Sequence, residues 1–104
     1  MKDKISFRER CYEALKKIPE GKVTTYKELA RAVGTNAVRA VGTAMAKNPD
    51  LIIVPCHRVV RSDGTVGEYA LGTAKKVELL DSEGVEVVNG KIKDFSAFLY
   101  RFDN

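Results

Sequence analysis

The 104-residue sequence has no tryptophan, one histidine and only two cysteines. Cys11 and Cys56 form no Cys-x-x-Cys pair, and with a single histidine they fall short of the four ligands of a structural zinc site. No apolar run approaches the roughly 20 residues that a membrane helix needs. The opening MKDKISFRER is too highly charged for a signal peptide. We therefore expect a soluble protein with no metal and no membrane contact, cytoplasmic, or nuclear in a eukaryote.

Positive charge is concentrated in the middle of the chain. The net charge is +4, but residues 22–61 hold seven basic residues against two acidic ones, whereas the remainder is nearly balanced. A basic segment of this kind is typical of a protein that binds a polyanion such as nucleic acid. The alternative is a solvated surface that happens to be basic, and charge alone does not separate the two.

Caps, turns and apolar spacing predict a mostly helical fold with minor strand, in a single domain over residues 1–104. Capping boxes at Ser6–Glu9 and Thr25–Glu28 predict two helix starts, and Asn36 and Asp94 are predicted to cap two further helices. The predicted helices run from residue 7 to about 17, from 25 to 33, from 37 to 47, from 73 to 83, and through a short segment after 94.

Two other segments have the composition of extended structure. Leu51–Val54 is predicted to be a buried strand or extended segment. Val85–Lys93 is predicted to be a hairpin, because Asn89-Gly90 suits a type I′ turn between alternating residues.

The second and third helices, joined by a glycine-containing turn, are a helix-turn-helix candidate. An ordinary helical hairpin has the same pattern. The third helix is unusual in composition, since Arg39 stands among the small residues Ala40, Gly42 and Ala44. Small side chains leave the backbone close to the helix surface, where it can enter a narrow groove or press against another helix.

The adjacent Cys56 and His57 raise the question of a reactive thiol. Three features are expected to lower the pKa of Cys56: the neighbouring His57, the positive charge of Arg58, and a helix that starts at Pro55. The alternative is that Cys56 is a small buried hydrophobic residue beside a histidine with satisfied hydrogen bonds.

Geometry limits what His57 can do. Neighbouring residues on a helix point about 100° apart, so we expect His57 to reach the thiol only through a water. A histidine that acts as a base also needs its other nitrogen held, usually by a carboxylate. Glu83, Glu78 and Asp81 are all candidates for this carboxylate.

Four segments taken together are specific to one family. IPEGKVTTYKELARAVG, VRAVGTAMAKNP, IIVPCHRVVRSDGTVGEY and KKVELLDSEGV occur in this order. They resemble the C-terminal DNA-binding and active-site domain of the O6-alkylguanine-DNA alkyltransferases, also called methylated-DNA–protein-cysteine methyltransferases. The resemblance covers residues 18–85.

The resemblance implies a helix-turn-helix, winged-helix-like domain and a single-turnover DNA repair reaction. The domain would bind double-stranded DNA containing O6-alkylguanine through the minor groove and flip the damaged base out of the stack. Cys56 would then take the alkyl group from guanine O6 and keep it as S-alkylcysteine. No cofactor is implied, and the protein is expected to be a monomer.

The resemblance also implies roles for individual residues. His57 would be a base acting through a water, Glu83 would orient it, and Asn48 would hydrogen bond near the thiol. Tyr26 would meet the target phosphate and donate a proton to the leaving guanine, and Arg39 would fill the space left by the flipped nucleotide. The implied DNA-binding residues are Arg39, Tyr26, Thr25, Ala40, Gly42 and Thr43. The implied pocket residues are Met45, Val59, Val66, Gly67, Tyr69 and Ala70, with residues 66–71 as a lid.

The sequence departs from the family pattern in four places. The usual N-terminal domain is expected to be absent, and the turn before Arg39 is about one residue shorter than in some members. Glu68 places a negative charge on the lid, and Ala70 stands where several members have serine. Two other functions therefore stay open: an alkyltransferase-like protein that flips and flags the lesion without efficient transfer, and a regulatory DNA-binding module in which the cysteine senses alkylation.

Overall fold

Three helices form one side of the fold: α1 (Phe7–Leu15), α2 (Tyr26–Ala32) and α3 (Val38–Ala46). The computed structural model describes residues 6–51 and 53–102. Helix α1 begins at the predicted capping box, in which the Glu9 N–H donates to Ser6 Oγ at 3.1 Å and the Ser6 N–H donates to Glu9 Oε1 at 3.1 Å. It ends two residues earlier than predicted, because the N–H groups of Lys17 and Ile18 donate to carbonyls three residues back, as in a 3₁₀ turn.

Helix α2 begins with half of the capping box that the sequence predicts. The Glu28 N–H donates to Thr25 Oγ1 at 2.9 Å. The Glu28 carboxylate does not reach back to the cap, and instead accepts from Arg31 Nη2 at 2.7 Å. Thr25 is 4% exposed, so its side chain serves the start of this helix from inside the fold.

The turn between α2 and α3 is stabilised by backbone hydrogen bonds. Gly34, with φ of 83°, allows a Schellman ending in which the Thr35 N–H donates to the Ala30 carbonyl at 3.0 Å. The prediction that Asn36 caps α3 is wrong. Ala37 is the N-cap and makes no side-chain cap, and its own N–H donates to Thr35 Oγ1 at 3.0 Å. The local side-chain hydrogen bond at this turn is therefore made by Thr35, which accepts from the Ala37 N–H, and not by Asn36.

Two short parallel strands lie beside this helical layer. β1 (Thr24–Thr25) immediately precedes α2, and β2 (Val59–Val60) follows a 3₁₀ helix at Cys56–Arg58. The strands pair with Thr24 opposite Val59. This pairing brings the segment after the cysteine next to the start of α2.

The predicted strand at Leu51–Val54 is wrong where it can be judged. Leu51, Ile53 and Val54 lie in turns and bends, and Ile52 is outside the described residues. The Val54 N–H donates to the Asp50 carbonyl at 3.0 Å, which closes a local turn and leaves the segment without a strand partner in the described chain.

The C-terminal third adds α4 (Thr73–Ser82), the antiparallel strands β3 (Val87–Val88) and β4 (Lys91–Ile92), and α5 (Phe95–Phe98). The predicted hairpin is confirmed: Asn89 and Gly90 have φ of 53° and 79°, as a type I′ turn requires. The predicted cap at Asp94 is wrong, because this residue is left-handed (φ 55°) and its side chain makes no cap hydrogen bond.

The prediction of a mostly helical domain with minor strand is confirmed. No helix in the described part of the chain is long and apolar enough to cross a membrane.

The buried apolar side chains form two clusters. The first cluster lies under α1–α3 and contains Cys11, Leu15, Ile18, Leu29, Ala30, Val33, Val41, Ala44, Met45, Val54, Cys56 and Val59. The second lies under α4 and the hairpin and contains Val23, Val60, Val66, Leu80, Val85 and Ile92.

Candidate active site around Cys56

Cys56 lies at the base of a cleft of about 1180 Å³ between α2, α3 and the loop of residues 66–71. It is the first residue of the 3₁₀ helix and is 4% exposed. Its N–H donates to the Val54 carbonyl at 2.8 Å, so the chain turns sharply just before it. Both Cys56 and Cys11 are free thiols, but Cys11 is fully buried under α1 and does not line the cleft.

Asn48 holds the turn that precedes the cysteine. Its Nδ2 donates to the Val54 carbonyl at 2.8 Å, and its Oδ1 accepts from the Asp50 N–H at 2.9 Å. The same buried side chain acts to lower the pKa of the Cys56 thiol. The structure therefore places Asn48 where it braces the backbone on the N-terminal side of Cys56.

His57 is bound to a carboxylate on one side only. Its Nε2 lies 2.9 Å from Glu83 Oε2, and its Nδ1 is buried with no hydrogen-bond partner among the described residues. The structure thus selects Glu83 over Glu78 and Asp81. Burial lowers the pKa of His57, although Glu83 acts in the opposite direction. The imidazole is therefore neutral at pH 7, and because an ionised carboxylate only accepts, the proton sits on Nε2.

Glu83 is placed by the end of α4. It is the C-cap residue, and Gly84 (φ 87°) completes a Schellman motif in which the Val85 N–H donates to the Leu80 carbonyl at 2.9 Å. A carboxylate at a helix C-terminus faces the negative end of the helix dipole. Arg58 compensates, since its Nε and Nη2 donate to the two oxygens of Glu83 at 2.9 and 2.7 Å.

These hydrogen bonds determine the charge of Glu83. Burial raises the pKa of the carboxyl group, but hydrogen bonds from Arg58 and His57 outweigh it and leave the pKa below its ordinary range. Arg58 is also anchored to the first cluster, because its Nη1 donates to the Ile18 carbonyl at 2.8 Å. No group of three or more His, Cys, Asp or Glu side chains within residues 6–51 and 53–102 could hold a metal ion.

The expectation that His57, Arg58 and a helix N-terminus lower the pKa of Cys56 is wrong. Burial raises the pKa of this thiol, and the interactions that oppose burial are those with the Asn48 side chain, the charge of Lys76 and the backbone N–H of Cys56 itself. His57 is neutral, Arg58 is paired with Glu83, and the helix after Pro55 is only three residues long. None of the three features supplies positive charge to the sulfur.

Lys76 is the functional candidate that the sequence analysis missed. The residue is fully buried, and its Nζ donates to the Glu68 carbonyl at 3.0 Å and lies 5.8 Å from the centroid of the Tyr26 ring. Burial lowers its pKa from 10.5 to about 8. A signal was present, because Lys76, Leu80 and Glu83 follow helical spacing and so share the inward face of α4.

The cleft wall contains part of the predicted pocket. Met45, Tyr69 and Ala70 line it, as do Tyr26 and Glu68. The Tyr69 ring meets the His57 ring edge-on, with 6.4 Å between centroids, so the lid loop covers the histidine.

Three predicted pocket residues lie elsewhere. Val59, in β2, is buried in the first apolar cluster, and Val66, in the loop after β2, is buried in the second. Gly67 packs against two residues that line the cleft. A Cβ at this position would lie 3.6 Å from the Tyr26 hydroxyl and 3.5 Å from the Arg61 side chain. Arg61 itself lines the cleft and was not predicted.

Most of the predicted DNA-binding residues lie on the outer side of α3. Arg39 and Thr43 are exposed, Ala40 and Gly42 are partly exposed, and all but Ala40 border the cleft. A Cβ added at Gly42 would meet no atom within 4 Å, so the helix surface is open at that point. Thr25 is different, because it is buried and caps α2, which leaves its predicted DNA contact without geometric support.

Comparisons with known proteins agree on one family. A family model for the DNA-binding domain of 6-O-methylguanine DNA methyltransferases matches residues 6–85. The chain is 51% identical over 79 residues to a methylated-DNA–protein-cysteine methyltransferase of Metallosphaera sedula, an alignment that covers 76% of this chain and 49% of the relative. The chain thus spans about half the length of the curated methyltransferases it matches.

Two solved structures resemble the fold closely. O6-methylguanine-DNA methyltransferase from Pyrococcus kodakaraensis is 49% identical, with a TM-score of 0.72 over 78% of this chain and 47% of that one. Atl1 of S. pombe, solved with damaged DNA containing O6-carboxymethylguanine, is 34% identical, with a TM-score of 0.79 over 91% of this chain and 94% of that one.

Proposed function

The chain belongs to the 6-O-methylguanine DNA methyltransferase family, and from that premise we propose that it transfers the alkyl group of O6-alkylguanine in double-stranded DNA to Cys56. The observation that carries the proposal is the arrangement at the base of the cleft. A buried thiol stands beside a neutral histidine whose Nε2 is held by Glu83 and whose Nδ1 is left to accept a proton. A protein that only binds lesions needs no base next to a thiol.

The first step of the proposed reaction ionises the thiol. A thiol near pH 7 is mostly protonated, and the thiolate is the nucleophile. A water between Cys56 and His57 would pass the thiol proton to Nδ1, and the imidazolium that forms would be stabilised by the Glu83 carboxylate. Arg58 keeps this carboxylate ionised and fixed in place.

The second step breaks the bond between the alkyl carbon and guanine O6. As the Cys56 sulfur bonds to that carbon, the electron pair of the broken bond goes to the guanine, which must gain a proton. Tyr26 lines the cleft, and burial with the charge of Cys56 raises its pKa. It is therefore protonated at neutral pH and suited to donate, and the proton held by His57 restores it through solvent. The products are guanine and S-alkylcysteine.

The reacting carbon is inaccessible in stacked DNA, so the nucleotide must rotate into the cleft at a cost of a few kcal/mol. Helix α3 has the features that this requires. The small residues Ala40 and Gly42 would allow close approach to a minor groove about 6 Å wide, and Arg39, exposed at the start of the helix, would enter the base stack.

Lesion binding without transfer is the second candidate. One observation favours it: the fold matches Atl1, solved with damaged DNA containing O6-carboxymethylguanine, with a TM-score of 0.79 at 34% identity. Glu68, on the lid, adds a negative charge at the cleft mouth. In this case the protein would hold the flipped base over Cys56 without alkylating it.

Intact-mass analysis separates the two functions. The full chain is incubated with a short duplex containing one O6-methylguanine and then digested for peptide mapping. Transfer predicts a mass gain of one methyl group on the Cys56 peptide and none in Cys56→Ala, while Cys11→Ala behaves like the wild type. Unmodified protein that binds the lesion duplex more tightly than plain duplex would defeat the transfer proposal and favour lesion binding.

A further inference from the structure

Lys76 is a buried cation without a counter-ion. Its side chain is fully enclosed, and the hydrogen bond that the structure gives to Nζ goes to a neutral backbone carbonyl, that of Glu68. Within the described residues no carboxylate forms an ion pair with it. A buried charge is costly unless something compensates for it. The neighbouring Lys75 shows the ordinary alternative, since it is exposed and paired with Glu78.

The surroundings of Lys76 identify the missing negative charge. Its neighbours Tyr26 and Glu68 line the cleft that contains Cys56, and α4 packs against the 3₁₀ helix in which Cys56 lies. Lys76 and the Cys56 sulfur interact electrostatically in both directions, each favouring the charged form of the other. Arg58, two residues after the cysteine, already forms an ion pair with Glu83.

We propose that Lys76 is a positioning residue whose buried ammonium stabilises the thiolate form of Cys56. The proposal rests on the proposed function only in that the thiolate is the nucleophile of transfer. Lys76 touches neither the alkyl group nor the proton that leaves the sulfur. It supplies positive charge through space, and the Asn48 side chain acts on the thiol in the same direction.

The hydrogen bond to Glu68 explains how the ammonium is kept in place. Glu68 belongs to the lid loop, so the closed lid supplies the acceptor that holds Nζ under the Tyr26 ring. The aromatic face adds an attraction for the cation. When the thiol ionises, its proton leaves through His57 and the pair Lys76–Cys56 becomes neutral overall.

Other charged and titratable groups face this pair and must be considered in any pH dependence. The positive charge of Arg61 lowers the pKa of Lys76, and the negative charge of Glu68 raises it. Asn48, which does not titrate, lowers the pKa of Cys56. His57 follows Cys56 in the chain and has a pKa lowered by burial. Three tyrosines also face Cys56, Tyr26 from α2, Tyr12 from α1 and Tyr69 from the lid, all with raised pKa values.

The test measures thiol reactivity without DNA. The full chain is treated with iodoacetamide between pH 6 and 10, and the alkylation rate of the Cys56 peptide is followed by mass spectrometry. Lys76→Met removes the charge at similar volume, Lys76→Arg keeps it, and Lys75→Met is the exposed control. The fully buried Cys11 reports on unfolding in the same samples.

In Lys76→Met we expect the alkylation rate at pH 6 to 7 to fall about tenfold, because Lys76 is charged in the wild type at these pH values. Above pH 8, where Lys76 loses its proton, the rates of the two proteins should converge, because access to the sulfur is unchanged. Lys76→Arg and Lys75→Met should keep the wild-type rate at pH 7. A merely structural role would change the rate by a similar factor at every pH or expose Cys11.

Equal rates of wild type and Lys76→Met at pH 6 to 7, or a ratio of the two rates that is constant with pH, would overturn the proposal. If Cys11 becomes reactive in Lys76→Met, the comparison is made with Lys76→Gln, and a wild-type rate at pH 7 there overturns the proposal equally. Methyl transfer from the lesion duplex is measured in parallel. A wild type that fails to take the methyl group would defeat the proposed function, whereas the iodoacetamide profiles judge Lys76 independently of that result.

Discussion

Replacing Lys76 by methionine should stabilise the fold at neutral pH while it impairs the thiol. The side chain is fully buried, and burial lowers its pKa from 10.5 to about 8. One pKa unit corresponds to about 1.4 kcal/mol, so the charged lysine costs the folded state roughly 3 kcal/mol below pH 8. The substitution also removes the hydrogen bond to the Glu68 carbonyl, which reduces the gain in stability by about 1 kcal/mol. We expect Lys76→Met to gain about 2 kcal/mol at pH 7.

The pH dependence gives the sharper comparison. Because the folded pKa lies below the unfolded one, the unfolded chain binds more protons between pH 8 and 10.5, and the stability of the wild type rises with pH over this interval. Lys76→Met lacks this contribution. The stability advantage of the variant should therefore shrink by about 3 kcal/mol between pH 7 and pH 10.5.

Urea unfolding of both proteins at several pH values measures this difference. Titration of the tyrosines occurs in both proteins and is largely removed when the two are subtracted. Lys75→Met, which alters an exposed pair with Glu78, should change stability by less than about 0.5 kcal/mol at either pH. A Lys76→Met variant whose difference from wild type is constant with pH would refute the conclusion that a buried charge is carried at this position.

Three further predictions concern Glu83, Gly42 and Arg39. Glu83→Ala should lower the free energy of unfolding at pH 7 by about 3 kcal/mol, because Arg58, whose side chain is 14% exposed, loses its counter-ion. Since the pKa of Glu83 is lowered, this difference from wild type should decrease as the pH falls from about 4.5 through the lower pKa of the folded carboxyl group. Urea unfolding at pH 7 and pH 3 checks both statements, and equal losses at the two values would contradict them. Gly42→Leu should keep or raise the melting temperature, because nothing lies within 4 Å of a Cβ there and leucine is the better helix former by about 1 kcal/mol, yet weaken binding to the lesion duplex at least about tenfold in fluorescence anisotropy. Arg39→Ala should weaken the same binding without changing the melting temperature, since Arg39 is exposed; a loss of stability instead would make it a structural residue.

Local sequence was sufficient wherever the stabilising contacts are local. The capping box at Ser6–Glu9, the end of α2 at Gly34 and the type I′ turn at Asn89–Gly90 each depend on hydrogen bonds or dihedral angles within a few residues. Where two neighbouring side chains compete for the same role, the pattern was not decisive. Thr35 rather than Asn36 accepts the hydrogen bond at the start of α3, although either residue type can do so.

The four family segments were enough to name Cys56, His57 and Glu83 as candidate site residues. Reasoning from the residues alone left Glu83, Glu78 and Asp81 equivalent. The structure selects Glu83 because the Schellman turn at the end of α4 brings it to His57 at 2.9 Å.

The sequence by itself determined the order of the helices, the hairpin turn and the candidate pair Cys56–His57. Only the tertiary structure decided how charge is distributed around them. Arg58, two residues after Cys56, is neutralised by Glu83, whereas Lys76, twenty positions away, is buried near the sulfur. The physical reason is that the cost of a charge depends on desolvation and on partners in space. Adjacency in the chain specifies neither, and packing of α4 against the 3₁₀ helix specifies both.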